Sequence, residues 1–205
     1  MPTITLYSNK MSRGRAVHWM LEELGEPYHI EWLDFGPRMK VKRFTAINPM
    51  GKVPALTYAD AIITETPAIL TFLADTFPNK SLIPPSGSIG RAAFYRWMHF
   101  ISGPLEAATS AKLMQWETPE KTTLGTPAKG FLGFGTLELT LSTLERHLKE
   151  NAYVCGEQFT AADIYLASHL GFHTLISKTV DSRPVFVEYV KRLMQRPAKI
   201  RVDNA

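Results

Sequence analysis

The segment Asn48-Pro49-Met50-Gly51-Lys52-Val53-Pro54-Ala55-Leu56, followed downstream by Glu65-Thr66, decides the fold of this chain. Asn48-Pro49 and Gly51 carry turn chemistry. Pro54 has no amide donor, and proline is tolerated in a sheet only at the start of a strand or on an edge. The run Ala55 to Tyr58 is therefore expected to begin as a strand just after it, with Ala61 to Thr64 close enough to complete an antiparallel hairpin. An X-Pro bond in a tight turn is also where a cis peptide costs least, about 0.5–1 kcal/mol. Such a bond turns the N–H and C=O of Val53 outward, ready to pair with another peptide-like molecule. Glu65-Thr66 opens a helix, whose unpaired N–H groups and dipole attract a carboxylate. Extended backbone pairing beside a carboxylate clamp suits a short acidic peptide.

Working back from that segment, Thr3 to Ser8 alternates apolar and polar residues as a half-buried strand does. Val17, Met20, Leu21 and Leu24 then recur at helical spacing, with Gly25 and Pro27 as the stop. Tyr28 to Leu33 reads as a second strand, parallel to the first through a right-handed crossover. The basic segment after Pro37 predicts a second helix ending near Asn48-Pro49. Downstream, Ile69, Leu70, Leu73 and Phe77 mark a third helix that Pro78 ends. The order β-α-β-α-β-β-α is a thioredoxin-like layout of α+β class over residues 1–78.

Pro84-Pro85-Ser86-Gly87 marks residues 79–88 as a linker. Residues 89–205 show no strand pattern and are expected to form an all-α domain. Tyr95 to Ile101 is aromatic at helical spacing. Leu137, Leu141, Leu144 and Leu148 make one stripe, too short for a coiled coil and so assigned to a core. Pro184 suits the first turn of a last helix carrying Val187, Val190 and Leu193, which stops at Arg196-Pro197. Between Glu117 and Gly135 the chain is rich in Thr, Pro and Gly and assigns no boundaries.

The 205 residues are 45% hydrophobic and 20% charged, an ordinary balance for a globular protein with a sizeable core. No stretch approaches the ~18 apolar residues of a membrane span. Met1 to Tyr7 lacks the basic and long apolar regions of an export signal, and Cys155 is the only cysteine, so the cytoplasm is expected. The net charge is +4. The basic clusters Arg38-Met39-Lys40-Val41-Lys42-Arg43 and Arg13-Gly14-Arg15 have no accompanying nucleic-acid motif. They are assigned to solvated faces near an anionic small ligand, and nucleic acid and membrane are excluded as partners. His169 and His173 lie four apart but lack a third ligand, so no metal site is expected.

Asn48-Pro49-x-Gly51-Lys52-Val53-Pro54 with Glu65-Thr66 resembles the glutathione-binding core of the glutathione transferase family. Tyr153-Val154-Cys155-Gly156-Glu157-Gln158-Phe159-Thr160-Ala161-Ala162-Asp163 is similar to that family's second hallmark, in its helical domain. The two stand in the family's order, and the resemblance runs over essentially the whole chain, toward bacterial-type cytosolic members with a serine-type or atypical site. It implies an enzyme that conjugates glutathione to electrophilic small molecules in detoxification, with glutathione as cosubstrate and neither metal nor nucleotide. It also implies a homodimer, with the sheet domain of one subunit on the helical domain of the other. Two other readings remain open: a glutathione-binding regulatory or structural protein with little turnover, and a glutathione-dependent peroxidase or isomerase.

A thiol of pKa roughly 8.5 is only about 3% thiolate at pH 7. A drop of about two units, worth ~2.7 kcal/mol, makes the thiolate the major form. One hydroxyl hydrogen bond plus a helix N-terminus is on that scale. Tyr7, Ser8 and Ser12 offer hydroxyls where strand one gives way to helix one. Ser12 is preferred, because in serine-type members of the family the hydroxyl occupies this turn; Ser8 is the second candidate and Tyr7 is read as a strand residue. Arg13 would add positive charge beside the thiolate, and Arg15 is read as structural. By resemblance, Val53 and Pro54 would hold the cysteinyl part of glutathione, while Glu65 would take its ammonium and Thr66 the γ-glutamyl carboxylate. Lys52 and Lys40 are candidates for its glycine carboxylate. Met11, Phe35, Trp97, Phe100 and Met114 are the expected apolar walls of an acceptor pocket between the domains. Thr160 and Asp163, spaced as a capping box, are assigned to folding rather than catalysis.

Overall fold

The structure, a computed structural model, describes residues 3–205. Met1 and Pro2 of the Met1–Tyr7 opening, and the side chain of Arg38 in the basic cluster, lie outside the described residues. The chain forms two compact units, one of residues 1–85 with 193–205 and one of residues 86–192.

In the first unit, β1 (Ile4–Ser8) and β2 (Tyr28–Trp32) are parallel, joined by α1 (Gly14–Leu24). β3 (Ala55–Tyr58) runs antiparallel to β1, and β4 (Ala61–Thr64) antiparallel to β3, giving the order β2-β1-β3-β4. This is the thioredoxin-like mixed sheet that the alternating patterns and the short hairpin predict. α3 (Thr66–Thr76) follows β4 and ends at Phe77, one residue before Pro78. Leu6, Trp19, Leu21, Ile69, Leu70 and Leu73 are fully buried, so α1, the sheet and α3 share one core.

Two elements depart from the sequence reading. The helix expected after Pro37 is broken into a 3₁₀ turn (Pro37–Lys40) and a one-turn α2 (Lys42–Thr45), because Val41 between them is extended, with φ −70° and ψ 145°. Residue 197 is also not the end of helical structure. Pro197 starts α9 (Pro197–Asp203), proline being well suited to a first helical turn. α9 belongs with the sheet unit, so the helical domain does not run unbroken to residue 205 as expected. Arg196 clamps Glu23 of α1 through Nε at 2.6 Å and Nη2 at 2.9 Å, while Arg201 meets Glu22 and Arg15 meets Asp203. The structural role assigned to Arg15 is this contact.

The second unit is helical. α4 (Gly90–Phe100) passes through a wide π turn (Ile101–Leu105) into α5 (Glu106–Leu113). Gly103-Pro104 occupies that turn; Pro104 has no N–H for a regular helix, and the widened turn accommodates its ring. α6 (Leu137–Glu150) opens on Thr136, whose hydroxyl accepts from Leu139 N at 3.1 Å, and buries Leu141, Leu144 and Leu148 of the leucine stripe. α7 (Ala161–Gly171) is buried on nearly every side, and α8 (Pro184–Met194) follows. The Thr/Pro/Gly-rich stretch before α6 holds one 3₁₀ turn, Ala128–Gly130.

Candidate active site

Strand register gathers the sequence-predicted residues. Tyr7 pairs with Ala55, and Ala55 with Thr64. The end of β1, the start of β3 and the end of β4 therefore lie side by side. The segments continuing from them are the 9–13 turn, Val53-Pro54 and Glu65-Thr66. All three emerge at one end of the sheet.

The first segment is tied down by Asn9, which the sequence reading passed over. Its Nδ2 donates to Leu33 O at 2.8 Å, anchoring the turn to the chain beyond β2, and its Oδ1 accepts from Met11 N at 2.8 Å. Asn9 O accepts from Ser12 N at 3.0 Å and from Ser12 Oγ at 2.8 Å. Ser12 Oγ in turn accepts from Gly14 N at 3.0 Å. The Ser12 hydroxyl is thus half-buried at the mouth of α1, with its proton held by Asn9 O. Ser8, the second candidate, is fully buried behind it. Gly14 makes this packing possible, since a Cβ there would collide with Ser8 Oγ. Arg13 is exposed beside Ser12, and Tyr7 packs on Phe44 as a strand residue, with ring centroids 5.8 Å apart.

The second segment is organised by Asn48, the turn residue that opens the motif, which is buried. Its Oδ1 accepts from Met50 N at 3.1 Å and its Nδ2 donates to Lys52 O at 2.7 Å, an Asx turn that presents Val53. The Val53-Pro54 peptide is cis. Among the described residues the N–H and C=O of Val53 take no hydrogen bond within the chain. Lys40 Nζ donates to Met50 O at 2.8 Å and Gly51 O at 3.4 Å, so its ammonium braces this loop. Gly51 has φ 59°, and a Cβ there would crowd Met39 O and the Lys40 ammonium. The Lys52 side chain is exposed with no partner among the described residues.

The third segment carries the most unusual backbone of the site. Glu65 has φ 68° and ψ 120°, a region that costs a non-glycine residue of order 1–3 kcal/mol. Its carboxylate is exposed and unpaired among the described residues, and Thr66 behind it is buried at the first turn of α3. The positive end of an 11-residue helix and a free carboxylate thus face solvent together, so one end of a zwitterion can be held by each.

Residues 11–76 match the family model for the glutathione S-transferase N-terminal domain, and residues 134–197 that for the C-terminal domain. The chain is 32% identical over 172 residues to glutathione S-transferase 3 of Schizosaccharomyces pombe, covering 78% of this chain and 70% of that one. The chain belongs to the glutathione S-transferase family. It is also 29% identical over 185 residues to glutathione S-transferase GstA of Escherichia coli O157:H7, covering 89% of this chain and 88% of GstA. Among solved structures, a sphingomonad glutathione S-transferase complexed with glutathione superposes with a TM-score of 0.76 at 27% identity, over 97% of this chain and 96% of that one.

Within this transferase fold the expected pocket residues divide. In the sheet unit Met11 and Phe35 are exposed, and in the helical unit Met114 is exposed and Phe100 half-buried. Trp97 is a correction. At 1% exposure it lies in the helical unit's own core, stacked on His147 at 4.3 Å and against Phe100 at 5.1 Å, and its indole offers no pocket wall. Aromatic residues at helical spacing point to the core as readily as to a ligand, and here the core takes it.

The second hallmark forms a buried hub. Asp163 Oδ2 accepts from Thr160 N at 2.8 Å and Thr160 Oγ1 at 3.0 Å, and its Oδ1 accepts from Val154 N at 2.7 Å and the Tyr189 hydroxyl at 2.7 Å. Burial holds the Asp163 carboxyl above its ordinary range, and these four donors offset that only in part. Cys155 beside the hub is no nucleophile, since burial pushes its thiol up to about 12. His169 and His173 stack at 4.4 Å, with His169 Nε2 3.1 Å from Thr109 Oγ1 and Nδ1 3.4 Å from Glu106. Among the described residues no group of three or more His, Cys, Asp or Glu side chains is placed to hold a metal ion. Nor is any described helix long and apolar enough to cross a membrane.

Proposed function

We propose that this chain binds glutathione at the sheet end formed by Val53-Pro54, Glu65-Thr66 and the 9–13 turn, and transfers it to electrophilic small molecules. The observation that carries the reading is the unpaired Val53 backbone, held by register next to the strained and unpaired Glu65 at the start of α3. A γ-glutamyl tripeptide matches both. Its cysteinyl amide pairs with the Val53 N–H and C=O, its ammonium meets Glu65, and its γ-glutamyl carboxylate meets the Thr66 hydroxyl and N–H. Lys52 is the better placed cation for the glycine carboxylate, because Lys40 would first have to release the carbonyls it braces.

With the tripeptide so held, its sulfur comes to the β1–α1 turn. The thiol proton passes to solvent. The Ser12 hydroxyl rotates from Asn9 O to the thiolate, exchanging a neutral hydrogen bond for a charge-assisted one about twice as strong. Arg13 adds positive charge beside it. The thiolate then attacks an electrophilic carbon; a C–S bond forms, and a halide leaves or an epoxide C–O bond opens. Catalysis is thus mostly positioning and electrostatic stabilisation. Met11, Phe35, Phe100 and Met114 are offered as acceptor contacts. A homodimer working in cytoplasmic detoxification completes the reading.

Steady-state turnover with glutathione and an aryl halide, an epoxide and a hydroperoxide tests it. Conjugation of the first two is expected. Turnover of the hydroperoxide alone points to a peroxidase, and tight glutathione binding without turnover points to a regulatory or structural protein.

A further inference from the structure

We infer that Asn9 is a positioning residue for the glutathione thiolate, holding the β1–α1 turn while the Ser12 hydroxyl swings from Asn9 O to the sulfur. The inference rests on the proposed role of Ser12 and extends it to a side chain engaged at both ends within the chain.

Sheet register shows what the Asn9 carboxamide replaces. Ser8 lies opposite Trp32, the last pair of the parallel β1–β2 ladder. Leu33 N still donates to Ser8 O at 2.8 Å, so Leu33 O would next accept from Lys10 N were β1 to run on. The chain turns away there instead, and Asn9 Nδ2 fills the place at 2.8 Å. The other edge of the same carboxamide accepts from Met11 N at 2.8 Å, which closes the turn. One planar group is thus the ladder's last donor and the turn's acceptor, a pairing that needs both edges of an amide.

The proposed mechanism asks this turn to survive a loss. Before glutathione binds, Asn9 O accepts from Ser12 N at 3.0 Å and from Ser12 Oγ at 2.8 Å. When the hydroxyl leaves for the thiolate, the bond from Ser12 N remains, and the carboxamide keeps Asn9 fixed to the sheet. Ser12 Oγ still accepts from Gly14 N, 3.0 Å away, so its proton alone changes partner. A hydroxyl presented from a looser turn spends less time within reach of the sulfur, and the thiolate loses stabilisation.

Ultraviolet thiolate absorbance of bound glutathione, followed against pH on the full chain, tests this. Asn9→Ser keeps a turn acceptor for Met11 N but is too short to reach Leu33 O. It should raise the bound thiol pKa by about one unit, roughly a tenfold loss of thiolate at a pH below that pKa. Asn9→Ala should do the same. Turnover with an aryl halide should fall in step near neutral pH and recover as pH rises, whereas a merely structural defect would lower it throughout. Affinity for S-methylglutathione, which has no thiol proton, should stay within about twofold, because the Val53, Glu65 and Thr66 contacts are untouched. Asn9→Ala/Ser12→Ala should match Ser12→Ala alone, since both act through one hydrogen bond. An unshifted pKa in Asn9→Ser, a loss of S-methylglutathione affinity of about fivefold or more, or additive shifts in the double variant would each overturn the role of Asn9. An unshifted pKa in Ser12→Ala would instead remove the hydroxyl reading, and this role with it.

Discussion

Glu65 and Ser12 show how much one residue's surroundings decide. Glu65 sits at φ 68°, where its C=O accepts from Ile69 N at 3.0 Å to open α3, while its exposed carboxylate pairs with nothing among the described residues. If its carboxylate takes the glutathione ammonium, Glu65→Ala should weaken glutathione binding by about 1.5–3 kcal/mol, the range for a hydrogen bond to a charged group. Calorimetry reads this directly, and unchanged affinity would remove the assignment. Ser12 is subtler, because its hydroxyl already serves the turn through Asn9 O and Gly14 N. Ser12→Ala should raise the thiol pKa of bound glutathione by about one unit, or 1.4 kcal/mol, followed by thiolate absorbance in the ultraviolet. Should the pKa stay where it was, Arg13 or the amides of the turn carry the effect instead.

At the scale of elements, the sequence reveals those whose signal is local. Period-two alternation marks β1, and the short Ala55 to Thr64 hairpin follows from proline and turn chemistry. The Val53 and Glu65 segments were legible as a pair because strand register converts their spacing into adjacency. α9 was not legible, because Pro197 serves both as the stop after α8 and as the first residue of the next helix. The break at Val41 and the hydrogen bonding of Ser12 were hidden for a different reason: each depends on contacts across the fold rather than on neighbours in sequence.

The α1–β2 contact adds a titratable element no pattern would show. His18 is 4% exposed, and its Nε2 lies 3.0 Å from the Tyr28 hydroxyl. Tyr28 gives its own proton to Glu22, so His18 Nε2–H is the donor to the Tyr28 oxygen. Burial holds the His18 pKa below its ordinary 6.5; Glu22 opposes this, and Arg15, Lys10 and Lys199 reinforce it. The folded state therefore binds this proton less readily than the unfolded chain. Its contribution to stability is complete above about pH 6.5 and is lost as pH falls toward the folded-state value. The melting temperature of the natural protein should drop between pH 7.5 and 5.5, and His18→Gln should flatten that drop. Glu22, whose pKa is also lowered, titrates below this window. Parallel slopes for the two proteins would assign the effect elsewhere.

For the whole molecule, the surface that opens the helical unit is the remaining argument. On α4, Phe94 turns into the core, whereas Tyr95 is 44% exposed and Arg96 is exposed. Arg91 Nη1 donates to the Tyr95 hydroxyl at 2.9 Å, holding that ring in place, and Ile89 just before the helix is 93% exposed. An isoleucine that open, beside a fixed tyrosine and arginines, has the composition of an interface rather than of a solvated face. Twofold pairs are the commonest closed assemblies, and they bring the same patch of both copies together. Sedimentation velocity at micromolar concentration should therefore show a species of twice the 23.0 kDa chain mass. Ile89→Asp/Tyr95→Glu should shift it to the single-chain mass with the helical spectrum intact, because neither side chain is part of the core. A natural protein already at the single-chain mass would sink the dimer. A double variant that still sediments as a pair would keep the dimer and move its contact away from α4.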